Sequence, residues 1–113
     1  HKIKVYHESD ISKACWEEND VDIVIDSSGV YSNVISSKVL TDEKRVKKVI
    51  CTHSPKDGID LTLMMGVNEH EYDKQKHHII SSSICDANAI APFFKLINDL
   101  FKRYLNRIIK LFF

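Results

Sequence analysis

The most constraining feature of the sequence is a β-branched run at residues 21–26, which ends in the turn residues 27–29. A short apolar run bounded by turn residues predicts a buried strand. Ligands of α/β folds bind at the carboxyl ends of parallel strands, and a glycine there lets the backbone approach a ligand closely. We therefore expect a buried strand whose carboxyl end, at Ser28 and Gly29, faces a ligand.

The rest of the chain alternates between further strand and helix patterns. Period-2 and apolar runs predict strands at residues 3–6, 46–51, 61–67 and 77–82. A helix is predicted at residues 32–40 with Ser32 as its N-cap, and another from Asp86 onward. Strands separated by helices or crossover loops are typical of an α/β domain with a largely parallel sheet.

Composition excludes several classes of function. The 113 residues suit one domain or part of a larger one, and 16 basic residues balance 16 acidic ones. Zero net charge argues against a nucleic-acid partner. No uninterrupted apolar run approaches a membrane span, and no signal-peptide core follows the first residues. The cysteines Cys15, Cys51 and Cys85 are odd in number and widely spaced, which indicates reduced cytoplasmic thiols. No histidine or acidic cluster has metal-ligand spacing, so no metal site is predicted.

Residues 79–92 combine a strand pattern with a candidate nucleophile. A short apolar run is broken by three serines, and Cys85, Asp86 and small helix-forming residues follow. We interpret this stretch as strand, tight turn and helix, with Cys85 at the turn. Free backbone N–H groups and the helix dipole at that position favour the thiolate, which is the nucleophilic form. The alternative is that Cys85 is a small buried hydrophobic residue.

Four blocks of sequence, at residues 21–31, 47–50, 65–73 and 78–92, together resemble glyceraldehyde-3-phosphate dehydrogenase. The resemblance runs from about residue 3 to residue 99. It implies that the chain is part of a Rossmann-type NAD-binding domain and ends in the active-site cysteine helix, with residues 1–84 as the latter part of that domain. Residues 85–113 would then be the start of a catalytic domain with a divergent, truncated tail. The resemblance also implies a segment of a larger cytoplasmic, tetrameric enzyme of glycolysis.

The resemblance further implies a set of site residues. Cys85 would attack the aldehyde substrate, hydride would pass to NAD, and phosphate would accept the acyl group. Ser28 and Gly29 would lie along the cofactor, Thr52 near it, and Ser9 at its adenine end.

The sequence departs from the family at the positions flanking the cysteine. Ile84 and Asp86 occupy positions where the family has hydroxyl side chains that help to hold phosphate. Ile84 donates no hydrogen bond, and the Asp86 carboxylate would repel both a phosphate oxyanion and the Cys85 thiolate. A related aldehyde dehydrogenase with a different acyl acceptor therefore stays open.

The last residues, 100–113, contain no histidine, although the family places its general base after this point. The glycine-rich dinucleotide fingerprint is absent as well, so we expect the 113-residue chain alone to be inactive. Apolar residues continue at helical spacing, flanked by Lys102, Arg103, Arg107 and Lys110. Although we expect no membrane partner for the enzyme, a basic amphipathic helix can bind membranes or partner proteins. A non-catalytic interaction module is thus the alternative function, and unpaired sheet edges would favour self-association.

Overall fold

The computed structural model describes residues 2–43, 45–82 and 85–112, with side chains described as far as residue 105. Four strands and two helices follow one another: β1 (Ile23–Asp26), α1 (Tyr31–Asp42), β2 (Lys48–Cys51), β3 (Leu61–Thr62), β4 (Ile79–Ser81) and α2 (Cys85–Phe112). Three short 3-10 turns lie at Ile11–Lys13, Glu17–Asn19 and Glu69–Glu71. The sheet order is β1-β2-β4-β3, and each neighbouring pair is parallel. The predicted α/β class with a parallel sheet is confirmed, and it is consistent with part of a Rossmann-type domain.

The core lies between the sheet and α1. Side chains alternate between the two faces of a strand, and Val24, Val49 and Ile79 share one row of the sheet's register. They meet Val34 and Leu40 of α1, both of which are fully buried. On the opposite face of β1, Ile23 and Ile25 stay 54% and 65% exposed. One face of the sheet is therefore covered by α1, while the other is open along β1.

The turn between β1 and α1 determines where the helix begins. The Asp26 carboxylate accepts hydrogen bonds from the backbone N–H and the hydroxyl of Ser28, at 2.9 and 2.6 Å. Gly29 follows with φ +70°, a conformation that L side chains rarely adopt. This turn reverses the chain so quickly that α1 starts at Tyr31, with Val30 as its N-cap. The prediction of Ser32 as N-cap is therefore wrong, because Ser32 already lies in the first turn.

Two predicted strands differ from the structure. Residues 3–6 form no strand, and Ile3 and Val5 are 87% and 73% exposed. The predicted strand at 61–67 is limited to Leu61–Thr62. The strand ends there because the Asn68 side chain forms hydrogen bonds with the neighbouring backbone. Its Oδ1 accepts from Met64 N, and its Nδ2 donates to the Thr62 carbonyl. Gly66, with φ +81°, completes the turn.

Helix α2 is long and stands apart from the sheet. It runs for 28 residues from Cys85 and contains Pro92. Whereas α1 packs on β2 and β4, α2 has no comparable packing against the other described elements. Within the described part of the chain, no helix has the length and apolar content needed to cross a membrane.

Candidate active site

The last row of the sheet at its carboxyl edge contains three buried residues, and the partly buried Thr62 of β3 is its fourth member. Asp26, Cys51 and Ser81 are register partners on β1, β2 and β4, and all three are buried. Burial, followed by the charge of Asp26, raises the pKa of the Cys51 thiol to about 11. Cys51 is therefore protonated near neutral pH, which makes it a poor nucleophile.

In the turn after β1, the Ser28 hydroxyl is hydrogen-bonded within the protein, so the backbone is the part of the turn that could contact a ligand. That hydroxyl donates to Asp26 and accepts from Val30 N and Asn33 Nδ2, both at 3.1 Å. A Cβ at Gly29 would meet no atom within 4 Å, so this side of the turn is open. A ligand at the turn would therefore contact the backbone of Ser28 and Gly29.

A cavity of about 460 Å³ opens beside Gly29. Its volume lies within the range typical of small-molecule and cofactor sites. Tyr31, at the start of α1, donates a hydrogen bond from its hydroxyl to Asp57, and this bond raises the pKa of Tyr31. The bond holds the start of α1 against the loop after β2, so residues from both segments line this open cavity. Its lining consists of Gly29, Tyr31, His53, Ser54, Pro55, Lys56 and Asp57.

The predicted cofactor residues are only partly brought together. Thr52 is exposed at the end of β2, and its backbone N–H donates to the Asp26 carbonyl at 2.9 Å, so it lies beside the turn of Ser28 and Gly29. Ser9 is exposed on the N-terminal segment and is absent from the cavity lining. Three of the four predicted cofactor residues thus share one edge of the sheet. All four assignments remain predictions.

Cys85 is exposed and is the first residue of α2, which starts shortly after β4 ends at the carboxyl edge of the sheet. Asn88 fixes the start of the helix, because its Nδ2 donates to the Ser82 carbonyl at 2.8 Å. The neighbouring Asp86 is exposed as well, and its Oδ1 accepts from Ala87 N at 3.0 Å. Ile84, the other predicted phosphate-site residue, lies outside the described residues.

Sequence reasoning missed His53, Tyr31 and Asp57. His53 lines the cavity, and both of its ring nitrogens are buried without a hydrogen-bond partner among the described atoms. The only signal in the sequence is that they lie a few residues after predicted strands, a position that many other residues share. Across the described residues, no group of three or more histidine, cysteine or acidic side chains is arranged to hold a metal ion.

Comparison with known proteins supports the sequence interpretation, although no protein-family model matches the chain. Glyceraldehyde-3-phosphate dehydrogenase 1 of Bacillus subtilis (strain 168) is 40% identical over 100 residues. The Geobacillus stearothermophilus glyceraldehyde-3-phosphate dehydrogenase is 39% identical over 101 residues, and glyceraldehyde-3-phosphate dehydrogenase 2 of Streptomyces avermitilis is 37% identical over 103 residues. This chain is similar to one segment of glyceraldehyde-3-phosphate dehydrogenase. The resemblance predicted from the four sequence blocks is confirmed.

The matched region covers most of this chain but only a part of each relative. It covers 88% of this chain, and the chain spans about 29% of the length of each glyceraldehyde-3-phosphate dehydrogenase. The similarity therefore supports a function like that of glyceraldehyde-3-phosphate dehydrogenase for the part of the enzyme that this chain spans.

Proposed function

We propose that this chain is the segment of an NAD-dependent glyceraldehyde-3-phosphate dehydrogenase that carries the nucleophile, Cys85. The observation that supports this most is an exposed cysteine at the first position of the helix after β4, in a chain 40% identical to such an enzyme. Residues 1–84 would contribute to the cofactor domain and residues 85–113 would begin the catalytic domain. The complete enzyme would be a cytoplasmic homotetramer of glycolysis.

The chemistry begins at the sulfur of Cys85. Its thiolate attacks the aldehyde carbon of glyceraldehyde 3-phosphate, a C–S bond forms, and the carbonyl electrons move to oxygen to give the anion of a thiohemiacetal, which becomes a thioester when hydride leaves. NAD, when bound, supplies the acceptor for the hydride that leaves this carbon. Inorganic phosphate then attacks the resulting thioester, the C–S bond breaks, and the acyl phosphate leaves while Cys85 returns as the thiolate.

The residues around the β1–α1 turn suit the cofactor. The open side of Gly29 and the adjoining cavity leave room for a planar ring or a ribose, and the Ser28 hydroxyl already holds the turn in shape. Ser28 and Gly29 would contact NAD through their backbone, Thr52 through its exposed side chain, and Ser9 at the adenine end. The glycine-rich fingerprint and the general base would come from residues other than these 113, so we expect the isolated chain to have little or no turnover.

A graft tests this proposal. Residues 3–99 replace the matching segment of the Bacillus subtilis relative, and NAD reduction is followed with glyceraldehyde 3-phosphate and phosphate. We expect turnover that depends on all three components, roughly 10- to 100-fold below the unmodified relative, because Asp86 and Ile84 weaken phosphate binding. A graft that matches the relative in circular dichroism and melting temperature but reduces no NAD would overturn the proposal.

The second candidate is an aldehyde dehydrogenase with another acyl acceptor, such as water. Asp86 favours it, since its exposed carboxylate adds negative charge beside Cys85 and occupies the Ala87 N–H, a donor otherwise free to bind an anion. In the same graft, phosphate, arsenate and water are compared as acceptors, with Asp86→Asn as the test variant. Asp42→Asn, an exposed carboxylate at the far end of α1, is the matched control. If the graft with Asp86 unchanged depends strongly on phosphate for turnover, this candidate is excluded.

A further inference from the structure

A chain of hydrogen bonds links the first turn of α2 to the sheet. The Nδ2 of Asn88 donates to the Ser82 carbonyl at 2.8 Å. Ser82 in turn donates to the Cys51 carbonyl at the end of β2, from its backbone N–H at 2.9 Å and from its hydroxyl at 3.3 Å. The start of α2 is therefore tied to β2 through the backbone of Ser82.

Cys85 lies inside the loop that the bond from Asn88 closes. That bond joins residues six positions apart, and Cys85 is the middle one of the segment. Cys85 and Asn88 are three residues apart in the helix, a spacing that places both side chains on one face. Helical side chains tilt toward the N-terminus, so the Asn88 amide reaches back to the residue after β4. The bond therefore restrains the backbone on both sides of the proposed nucleophile.

The same edge of the sheet carries the turn proposed to contact the cofactor. The Thr52 backbone N–H donates to the Asp26 carbonyl at 2.9 Å, and the Asp26 carboxylate holds Ser28 in the turn after β1. Hydrogen bonds thus run from that turn across β2 to the start of α2. The bond from Asn88 is the last step, and it fixes Cys85 relative to the proposed cofactor side of the edge.

A nucleophile at a helix start depends on the first turn staying formed. Helix ends fray, and the free N–H groups and the helix dipole favour a thiolate only while the first turn is closed. The reaction also needs the sulfur at attacking distance from the substrate, and a misplacement of about 1 Å can cost roughly 10²-fold in rate. A side chain that holds the first turn of α2 to the sheet therefore acts on both requirements.

We propose that Asn88 is a positioning residue for Cys85. Its amide holds the Ser82 carbonyl, which keeps the first turn of α2 closed and the sulfur fixed at the carboxyl edge of the sheet. In this role Asn88 touches neither substrate nor cofactor and acts only through the backbone that carries Cys85. The effect on turnover rests on the proposed dehydrogenase function, whereas the effect on the reactivity of the thiol does not.

Alkylation of the 113-residue chain by iodoacetamide at pH 7 tests the reactivity, with the Cys85 peptide followed by mass spectrometry. Asn88→Leu removes the amide donor at nearly constant size, and Asn98→Leu makes the same exchange at an exposed position later in α2. We expect alkylation of Cys85 to slow about fivefold for Asn88→Leu and less than about twofold for Asn98→Leu. One hydrogen bond contributes a net factor of roughly two to ten in an equilibrium constant, which sets this size.

The graft of residues 3–99 into the Bacillus subtilis relative supplies the second readout. Asn88→Leu should lower kcat for NAD reduction about tenfold and leave KM for NAD and for glyceraldehyde 3-phosphate within about twofold, because the amide acts on the position of the sulfur. Asn88→Gln keeps the amide and should recover most of kcat and of the alkylation rate.

Three outcomes overturn the proposal. The first is an equal alkylation rate of Cys85 in Asn88→Leu and Asn98→Leu. The second is a rise in KM at unchanged kcat, and the third is an Asn88→Gln variant as slow as Asn88→Leu in both assays. A graft with Asn88 unchanged that reduces no NAD contradicts the proposed dehydrogenase function instead, and the alkylation rates then decide the positioning role by themselves.

Discussion

Replacing Cys85 by serine in the grafted enzyme should lower kcat/KM for NAD reduction by at least about 10³-fold. A serine hydroxyl at this position is far less nucleophilic than a thiolate, and the first turn of α2 offers no second thiol to replace it. The loss should appear in kcat more than in KM, since the thiol acts by forming a bond to the substrate. Steady-state kinetics with saturating NAD and phosphate measures both constants.

Cys15→Ser is the matched control for that experiment. Cys15 is only partly buried and lies on the segment between the two N-terminal 3-10 turns, outside the lining of the cavity beside Gly29. The same exchange of sulfur for oxygen there should change kcat/KM by less than about threefold. A Cys85→Ser graft that keeps a tenth or more of the activity would show that another group attacks the aldehyde.

Replacing Leu40 by alanine should lower the free energy of unfolding by about 2–5 kcal/mol. Leu40 is fully buried and packs with Val34 against the sheet, so the truncation removes apolar contacts and leaves a cavity. Small domains have only about 5–15 kcal/mol of stability, and a partial sheet lies near the low end. The variant should therefore be largely unfolded or melt well below the parent in urea titrations.

The neighbouring residue gives a control within the same helix. Val39 is 44% exposed, and Val39→Ala should change stability by no more than about 0.5 kcal/mol. If the two variants lose equal stability, the face of α1 that packs on the sheet is not the one that contains Leu40.

The sequence was most informative where local pattern and long-range packing agree. The β-branched run that forms β1 is buried on one face, followed by a glycine with positive φ and a helix. Each of these three features depends on only a few neighbouring residues, so the class of fold could be predicted. The position of Cys85 at a helix start could be predicted for the same reason.

Strand limits were harder to predict because they depend on partners. Residues 3–6 have a strand pattern but no neighbouring strand among the described residues, so they form no strand and stay exposed. The run after β3 has a strand pattern as well, yet the Asn68 side chain satisfies the backbone there locally. A side chain that competes with a sheet for hydrogen bonds leaves little trace in hydrophobic periodicity.

The candidate site was predictable only in its backbone features. Gly29 predicts an open turn from the sequence alone. The hydrogen bond from Tyr31 to Asp57 could not be predicted in this way, because it joins residues 26 positions apart in the chain. The cavity beside His53 exists because two loops after different strands meet at one edge of the sheet. Which loops lie next to each other depends on the order of the strands in the sheet, and that order could not be predicted from the sequence.

The most direct test of the central claim is to locate the covalent adduct. The graft is mixed with glyceraldehyde 3-phosphate and NAD without phosphate, quenched in acid, digested and analysed by mass spectrometry. An acyl group should appear on the peptide that contains Cys85. Cys51 should remain unmodified because it is buried and its pKa is raised to about 11. NAD reduction with an unmodified Cys85, or an adduct on Cys15 or Cys51 instead, would contradict the assignment of Cys85 as the nucleophile.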